Sequence, residues 1–267
     1  MKRLLLSDGR SLAWREAGEG PPLVLLHGWA MSSAVFSEAL DQLSSRFRVL
    51  APDLRGHGAS EGGPGYEFAD FAADLEEWLN ALDLRDAVLG GWSMGGQVLL
   101  ELYPAVRKRV RRLMLIAATP RFASAEDWSE GLPGGQVRAM ARDLRRNFRK
   151  TMGEFFALQF SGEEIDRGRY RRIVDFAVRQ GNLPESETAL AALEALRRGD
   201  QSGRLASIEC PVLVMHGELD RIVPAGAGRY LAEHLPHAEL AVLSGVGHAP
   251  FLSRPGEVFE RWRSFCA

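Results

Sequence analysis

The chain has 267 residues, with 33 basic side chains against 35 acidic ones, and 46% of its residues are hydrophobic. This composition fits one globular domain with room for an insertion and excludes a disordered chain or a repeat array. The formal net charge of −2 excludes a globally basic nucleic-acid binder.

The amino terminus and the cysteines set expectations about the compartment. Residues 1–6 are followed by the polar Ser7-Asp8-Gly9, without the apolar run of a signal peptide, and no stretch has the roughly 18 apolar residues of a membrane span. Cys210 and Cys266 provide no disulfide framework and no metal-ligand spacing. We expect a cytoplasmic monomer that binds neither membrane nor nucleic acid.

Short apolar runs alternate with helix-length amphipathic segments over residues 11–118, which predicts a mostly parallel sheet covered by helices on both faces. The alternation resumes after residue 204. Strands are predicted over 22–27, 48–52, 87–92, 111–117, 211–217 and 238–243. Helices are predicted over 33–45, 67–82, 94–103 (stopped near Pro104), 225–235 and 251–265.

Residues 119–203 break this rhythm with arginine-rich helical patterns and no convincing strand. The helical patterns lie near 134–148, 151–160, 164–180 and 186–198. We interpret residues 119–203 as a helical cap inserted into an α/β core made of residues 1–118 and 204–267.

The segment Gly91-Trp92-Ser93-Met94-Gly95-Gly96 stands where a buried strand ends and a helix begins. It has the Gly-x-Ser-x-Gly pattern in the strand-turn-helix context that a nucleophilic serine needs. The glycines matter because a Cβ beside a serine on so sharp a turn would clash. The alternative is a glycine-rich turn without chemistry, but the context favours Ser93 as a nucleophile.

A serine nucleophile needs a base and an orienting acid, which follow later strands in this topology in the order serine, acid, histidine. Asp220 follows the predicted strand 211–217, and His248 follows the strand 238–243. Asp220 alone could be a helix cap and His248 alone a loop histidine. Their joint order with Ser93 predicts a catalytic triad.

His27-Gly28-Trp29 closes the first strong strand, and the loop after that strand supplies one amide of an oxyanion hole in such folds. The predicted donors are the backbone N–H groups of Trp29 and Met94. Simple core packing is the alternative for Trp29.

Two other groups of polar residues receive no catalytic role. Asp53, His57 and Ser60 are crowded on one glycine-rich turn, where we expect them to hydrogen-bond that turn. His216, His234 and His237 lack metal-ligand spacing, and no glycine-rich phosphate motif occurs. We therefore expect neither a metal nor a cofactor.

Together these motifs resemble the alpha/beta hydrolases over essentially the whole chain. Within them the sequence is most similar to the BioH family, the pimeloyl-[acyl-carrier protein] methyl ester esterases of biotin synthesis. The segments that carry this likeness are Leu26 to Trp29, Gly90 to Gly96, Thr119 to Phe122 with Trp128, Phe155 to Gln159, and Gly247 to Leu252.

The resemblance implies a serine carboxylesterase whose partner is an acyl carrier protein bearing a pimeloyl methyl ester. It also implies that four side chains line the substrate pocket: Trp29, Met94, Phe155 and Gln159. Apolar walls with few polar groups suit a seven-carbon chain whose far carboxylate is masked as an ester.

Two basic windows of the cap could face an acidic carrier protein. Residues 138–150 hold six basic side chains against one acidic, and residues 167–179 hold five against one. The expected docking residues are Arg149, Lys150, Arg167 and Arg171. A solvated helix face is the alternative, and Glu154 departs from the basic residue that the resemblance leads us to expect.

Other functions remain open at this point. A promiscuous short-chain carboxylesterase or a carbon-carbon bond hydrolase would share the serine motif and the cap. A small-molecule receptor on a hydrolase fold is an alternative of another class. Ser93 excludes the aspartate nucleophile of dehalogenases and epoxide hydrolases.

Overall fold

A computed structural model describes residues 1–267 and contains one eight-stranded sheet, in the order β1-β2-β4-β3-β5-β6-β7-β8. The strands are β1 (Lys2–Leu5), β2 (Ser11–Ala17), β3 (Pro22–Leu26), β4 (Arg48–Pro52), β5 (Ala87–Trp92), β6 (Val110–Ile116), β7 (Val212–Gly217) and β8 (Ala238–Leu243). The pairings of β2 with β1 and with β4 are antiparallel, and all the others are parallel. The predicted mostly parallel sheet is confirmed.

Ten α-helices connect and cover these strands. They are α1 (Ser37–Leu43), α2 (Phe68–Ala81), α3 (Met94–Val106), α4 (Gly134–Arg146), α5 (Phe148–Leu158), α6 (Arg167–Ile173), α7 (Ser186–Arg198), α8 (Ala225–His234), α9 (Pro250–Ser253) and α10 (Pro255–Cys266). Helices α4 to α7 lie between β6 and β7 in the chain, within residues 119–203, which we call the cap. None of the helices has the length and apolar character needed to cross a membrane.

The central strands are mostly apolar, as expected where both faces of a sheet are covered by helices. All six residues of β5 and all six of β7 are buried. Trp92, at the end of β5, packs edge-on against Phe251 with the ring centroids 5.2 Å apart. The core therefore extends to the carboxyl ends of the strands, where the polar motifs lie.

Most predicted elements agree with the observed ones to within a residue or two, but several differ. The predicted helix 33–45 is a 3-10 turn at Ser33–Phe36 followed by α1, α5 begins three residues before the predicted helix 151–160, and the predicted helix 251–265 is divided into α9 and α10. Helix α3 does not stop near Pro104 and continues to Val106, because a proline in the last turn removes only one intrahelical hydrogen bond. The predicted helix 164–180 is α6 followed by a π-helical turn at Val174–Arg179, which packs against the 3-10 turn Ser33–Phe36. Strands β1 and β2 and their antiparallel pairing were not predicted.

Candidate active site

Ser93 lies in a strained turn between β5 and α3. Its φ of 54° and ψ of −117° are rare for a residue with a side chain. A Cβ on Gly91 would stand 2.4 Å from the carbonyl oxygen of Gly95, and a Cβ on Gly95 would stand 2.5 Å from that of Leu26. The surrounding backbone thus enforces the turn, and only glycine fits at these two positions.

Asp220 follows β7 and His248 follows β8, and the two side chains meet. His248 Nδ1 lies 2.7 Å from Asp220 Oδ2. The other carboxylate oxygen accepts hydrogen bonds from the backbone N–H groups of Ile222 and Val223, both at 2.9 Å. Burial alone would raise the pKa of Asp220, but the two neighbouring histidines, His248 and His216, hold it below its usual range. Asp220 is therefore an ionised carboxylate that orients the His248 ring.

The main chain of His248 is fixed from two sides. Its N–H donates to the carbonyl oxygen of Gln159 in the cap, and its carbonyl accepts from the Trp92 indole, both at 2.8 Å. Because Trp92 precedes Ser93, this contact brings the histidine to the same edge of the sheet as the serine. No hydrogen bond joins the Ser93 hydroxyl to the imidazole here, and such bonds often tighten only when substrate binds.

His216, at the end of β7, lies against the same carboxylate. Its Nε2 is 2.9 Å from the carbonyl oxygen of Val223 and 3.3 Å from Asp220 Oδ2. Because a carbonyl only accepts, Nε2 carries the proton and presents it to both oxygens. The sequence pattern had not indicated a role for His216. The available signal was its place four residues before Asp220, across the turn that ends β7.

Two buried backbone N–H groups beside Ser93 have no acceptor. They belong to Trp29, in the loop after β3, and to Met94, the first residue of α3, whose N–H has no intrahelical partner. A Cβ on Gly28 would lie only 3.3 Å from the Cβ of Ser93, so this loop abuts the serine. Buried N–H groups are nearly always paired, and a free pair beside a nucleophile can bind an oxyanion.

Two of the predicted pocket residues, Trp29 and Phe155, contact each other. The rings of Trp29 and Phe155 pack edge-on with centroids 4.9 Å apart, and the Trp29 indole donates to the carbonyl of Ala189 in α7. Gln159 is completely buried, and neither its amide oxygen nor its amide nitrogen has a hydrogen-bond partner. An unpaired buried amide is costly, so Gln159 is a candidate for contact with a polar ligand.

Phe155 also lines a cavity of about 400 Å³ between α4, α5 and the turn after Asp220. Its walls are mainly apolar, with Asp143, Glu154 and Arg221 among the polar lining residues. Ser93, His248 and Gln159 do not line it. Phe155 therefore packs against Trp29 and also lines this cavity.

The side chains of the crowded Asp53 to Ser60 turn bond the turn itself and the loop at Ser33. Asp53 accepts from the backbone N–H groups of Ser33 and Ala59, at 2.6 and 2.9 Å, and the Ser60 hydroxyl donates to the carbonyl of Asp53. The His57 ring is 2.8 Å from the carbonyl of Arg55 and makes no bond to Asp53. This geometry is that of a braced turn.

The four expected docking residues are exposed on neighbouring helices, Arg149 and Lys150 on α5 and Arg167 and Arg171 on α6. Lys150 lies 3.6 Å from Glu154, one turn along α5. The three arginines have no acidic partner within 4 Å. The positive charge of this surface therefore resides mainly in the arginines.

Known proteins resemble this chain in sequence and in fold. The sequence matches the alpha/beta hydrolase fold over residues 21–255. The chain belongs to the alpha/beta hydrolase family. This hydrolase is 38% identical to the pimeloyl-[acyl-carrier protein] methyl ester esterase of Nitrosomonas europaea over 89% of this chain and 92% of that protein.

Further relatives extend the likeness along the whole hydrolase. The protein of the same name from Vibrio parahaemolyticus is 33% identical over 96% of this chain and 98% of its own length. The solved structure of an esterase from Exiguobacterium antarcticum is 25% identical, with a TM-score of 0.92 over 99% of this chain and 98% of that one. The predicted membership of the alpha/beta hydrolases, with its likeness to these methyl ester esterases, is confirmed.

Proposed function

We propose that this hydrolase is a serine carboxylesterase that removes the methyl ester of pimeloyl-[acyl-carrier protein] and so frees the pimeloyl carboxylate in biotin synthesis. The observation that carries the proposal is the meeting of Asp220 and His248 beside the strained Ser93, in a chain closely related to esterases of that name.

Ser93 attacks the carbonyl carbon of the methyl ester while His248 Nε2 takes the hydroxyl proton. Asp220, ionised and bonded to Nδ1, keeps that nitrogen protonated and stabilises the imidazolium. The negative charge that develops on the carbonyl oxygen is met by the free N–H groups of Trp29 and Met94.

Collapse of the tetrahedral intermediate expels methanol, which takes the proton from His248. A water then gives a proton to His248 and attacks the acyl-enzyme, and Ser93 leaves with that proton restored. The product is a free carboxylate at the far end of the carrier-bound chain. Each step uses the same base and the same two N–H donors.

The pocket and the cap supply the substrate selection in this proposal. Trp29 and Phe155 give an apolar wall for a methylene chain, and the unpaired amide of Gln159 offers a donor and an acceptor. The exposed Arg149, Lys150, Arg167 and Arg171 steer an acidic acyl carrier protein to the entrance.

The second candidate is a general carboxylesterase for free short esters. The TM-score of 0.92 to the esterase from Exiguobacterium antarcticum favours it, as does the Lys150–Glu154 pair, which weakens the basic surface. The two candidates differ in preference: the proposed enzyme reacts faster with a carrier-bound methyl ester than with a free one of equal chain length.

The test is turnover of synthetic pimeloyl-[acyl-carrier protein] methyl ester by the purified chain, followed by methanol release and by the mass of the carrier. Ser93→Ala is expected to lower turnover by on the order of 10⁴-fold, because triad members act as a unit. A serine-directed phosphonate is expected to add its mass to Ser93. Ser60→Ala is the matched control and keeps near-parental turnover.

Several results would contradict the proposal. They are a parent protein without esterase turnover, a Ser93→Ala variant of near-parental rate, or an adduct on another residue. Equal rates on free and carrier-bound esters would favour the general carboxylesterase. Binding of a small molecule without any turnover would favour a receptor on the hydrolase fold.

A further inference from the structure

The turn that follows α5 holds the loop that carries His248. The carbonyl oxygen of Gln159 accepts the N–H of His248, and Glu163 Oε1 accepts the N–H of Gly247, both at 2.8 Å. Two consecutive N–H groups of the loop are thus bonded to one short cap segment, residues 159–163, which we call the clamp. The clamp and the loop are more than 80 residues apart in sequence.

The backbone of the clamp packs directly against the backbone of the His248 loop. A Cβ on Gly247 would stand 2.5 Å from the carbonyl oxygen of Gln159 and 2.8 Å from Glu163 Oε1. Only glycine allows this approach. From the other side the Trp92 indole bonds the His248 carbonyl, so the histidine backbone is held between cap and core.

Glu163 is a half-buried carboxylate whose position needs an explanation. Burial raises its pKa above the usual value, and the charge of Asp220 adds to this, while the Gly247 N–H, Ser253 and Arg254 oppose it. Leaving water costs a carboxylate free energy that its hydrogen bonds must offset. The neighbouring Glu164 is exposed and makes no hydrogen bond or ion pair. It is therefore a matched control for substitutions of Glu163.

The same cap helix reaches the substrate pocket. Phe155 lies on α5 and packs against Trp29, and the clamp begins one residue after that helix ends. Phe155 and Gln159 are four residues apart, so one short segment of the cap contacts both the pocket wall and the backbone of His248.

We propose that Glu163 is a positioning residue: with the Gln159 carbonyl it holds the His248 loop so that the imidazole lines up with Ser93, and it links the base to the pocket wall on α5. The inference rests on the proposed function, since it assumes that His248 is the base. Misplacing a base by about 1 Å can cost on the order of 10²-fold in rate.

Three variants separate the hydrogen bond from the charge. Glu163→Gln keeps an acceptor oxygen at full length without charge, Glu163→Asp keeps the charge but is one methylene too short, and Glu163→Ala removes both. On a free short methyl ester, the Ala and Asp variants are expected to lose about 10- to 100-fold in kcat with KM within about twofold. Glu163→Gln is expected within about threefold of the parent, and Glu164→Ala is the control.

Amide hydrogen exchange of residues 245–249, read by mass spectrometry, tests the clamp without any activity. Exchange is expected to rise in Glu163→Ala and Glu163→Asp and to stay parental in Glu163→Gln and Glu164→Ala. If Glu163→Ala fails to fold, Glu163→Asp carries the test.

Unchanged exchange and unchanged kcat in Glu163→Asp would overturn the inference, and so would a Gln variant as impaired as the Asp one. A parent protein without esterase turnover would refute the proposed function and, with it, a catalytic role for the positioning of His248. The exchange measurement would still establish whether Glu163 holds the loop.

Discussion

Asp220 combines more interactions than any other side chain at this site. One carboxylate oxygen accepts two backbone N–H groups, and the other faces His248 at 2.7 Å and His216 at 3.3 Å. These donors favour the ionised form, which in turn holds the proton of His248 on Nδ1. The lone pair of Nε2 is then free to act as a base.

This arrangement predicts that the two buried histidine positions respond differently to alanine. His248→Ala is expected to lower kcat/KM by on the order of 10⁴-fold, because the base is removed. His57→Ala is expected to remain active but to lose about 2 kcal/mol in the free energy of unfolding, because a buried ring disappears from a braced turn. Steady-state kinetics and urea unfolding measure the two effects, and the reverse pattern would assign catalysis to the Asp53 turn.

The residues of the triad could be predicted because local chemistry marks each of them. Ser93 sits among glycines that its turn requires, and Asp220 and His248 each follow a readable strand. Glu163 could not be predicted, because its partner is a backbone N–H 84 residues away. The sequence predicted that the cap has helices but carried no signal for where their ends meet the core.

The arginines of helix α6 have different surroundings: one is paired with the core, and others are exposed. Arg169 bonds both carboxylate oxygens of Glu38, at 2.5 and 2.6 Å, and also the carbonyl of Leu252, so it anchors the cap to the core. Arg167 and Arg171 on the same helix are exposed and have no acidic partner. Of the five basic side chains of residues 167–179, Arg169 is therefore not available to a carrier protein.

Charge reversal on the exposed arginines tests carrier docking. Arg149→Glu, Arg167→Glu and Arg171→Glu are each expected to lower kcat/KM on the carrier-bound ester by about fivefold at low salt, less at high salt. Glu154→Gln releases Lys150 from its 3.6 Å partner and is expected to raise the same rate. A free short methyl ester is expected to react within about twofold of the parental rate.

Arg107→Glu is the matched control, because Arg107 is exposed before β6 begins, at the opposite edge of the sheet from Ser93. Equal losses on carrier-bound and free esters would mean that the cap arginines support structure. No loss on either substrate would mean that they form a solvated face.

Among the elements, the parallel strands could be predicted and the departures have physical causes. Strands β4, β5 and β8 have the predicted bounds because apolar runs between polar turns define them. Strand β1 is mostly exposed at the edge of the sheet, so it lacks the apolar signal of a buried strand. The π-helical turn after α6 depends on packing against a turn 140 residues earlier, which no local pattern encodes.

At the scale of the molecule, the carboxyl edge of the sheet also holds two buried, neutral histidines, His27 and His57. His27 Nε2 accepts the N–H of Leu54 at 3.0 Å, and its Nδ1 faces the carbonyl of Gly28 at 2.8 Å. The ring of His57 lies 5.3 Å away. Because His27 accepts a hydrogen bond through Nε2, protonating that nitrogen would break the link between the ends of β3 and β4.

This pair predicts that stability falls as the solution becomes mildly acidic. Burial lowers the pKa of His27 from 6.5 to about 4 and, with the charge of His27, that of His57 to about 3. Below pH 6.5 these two histidines therefore bind protons in the unfolded chain but stay neutral in the folded protein, and the free energy of unfolding decreases. Between pH 7.5 and pH 5 the two histidines together are expected to remove about 4 kcal/mol. Urea unfolding at both values measures this loss. His57→Gln is expected to halve it and the exposed His237→Gln to leave it unchanged, and equal parental stability at both pH values would refute the prediction.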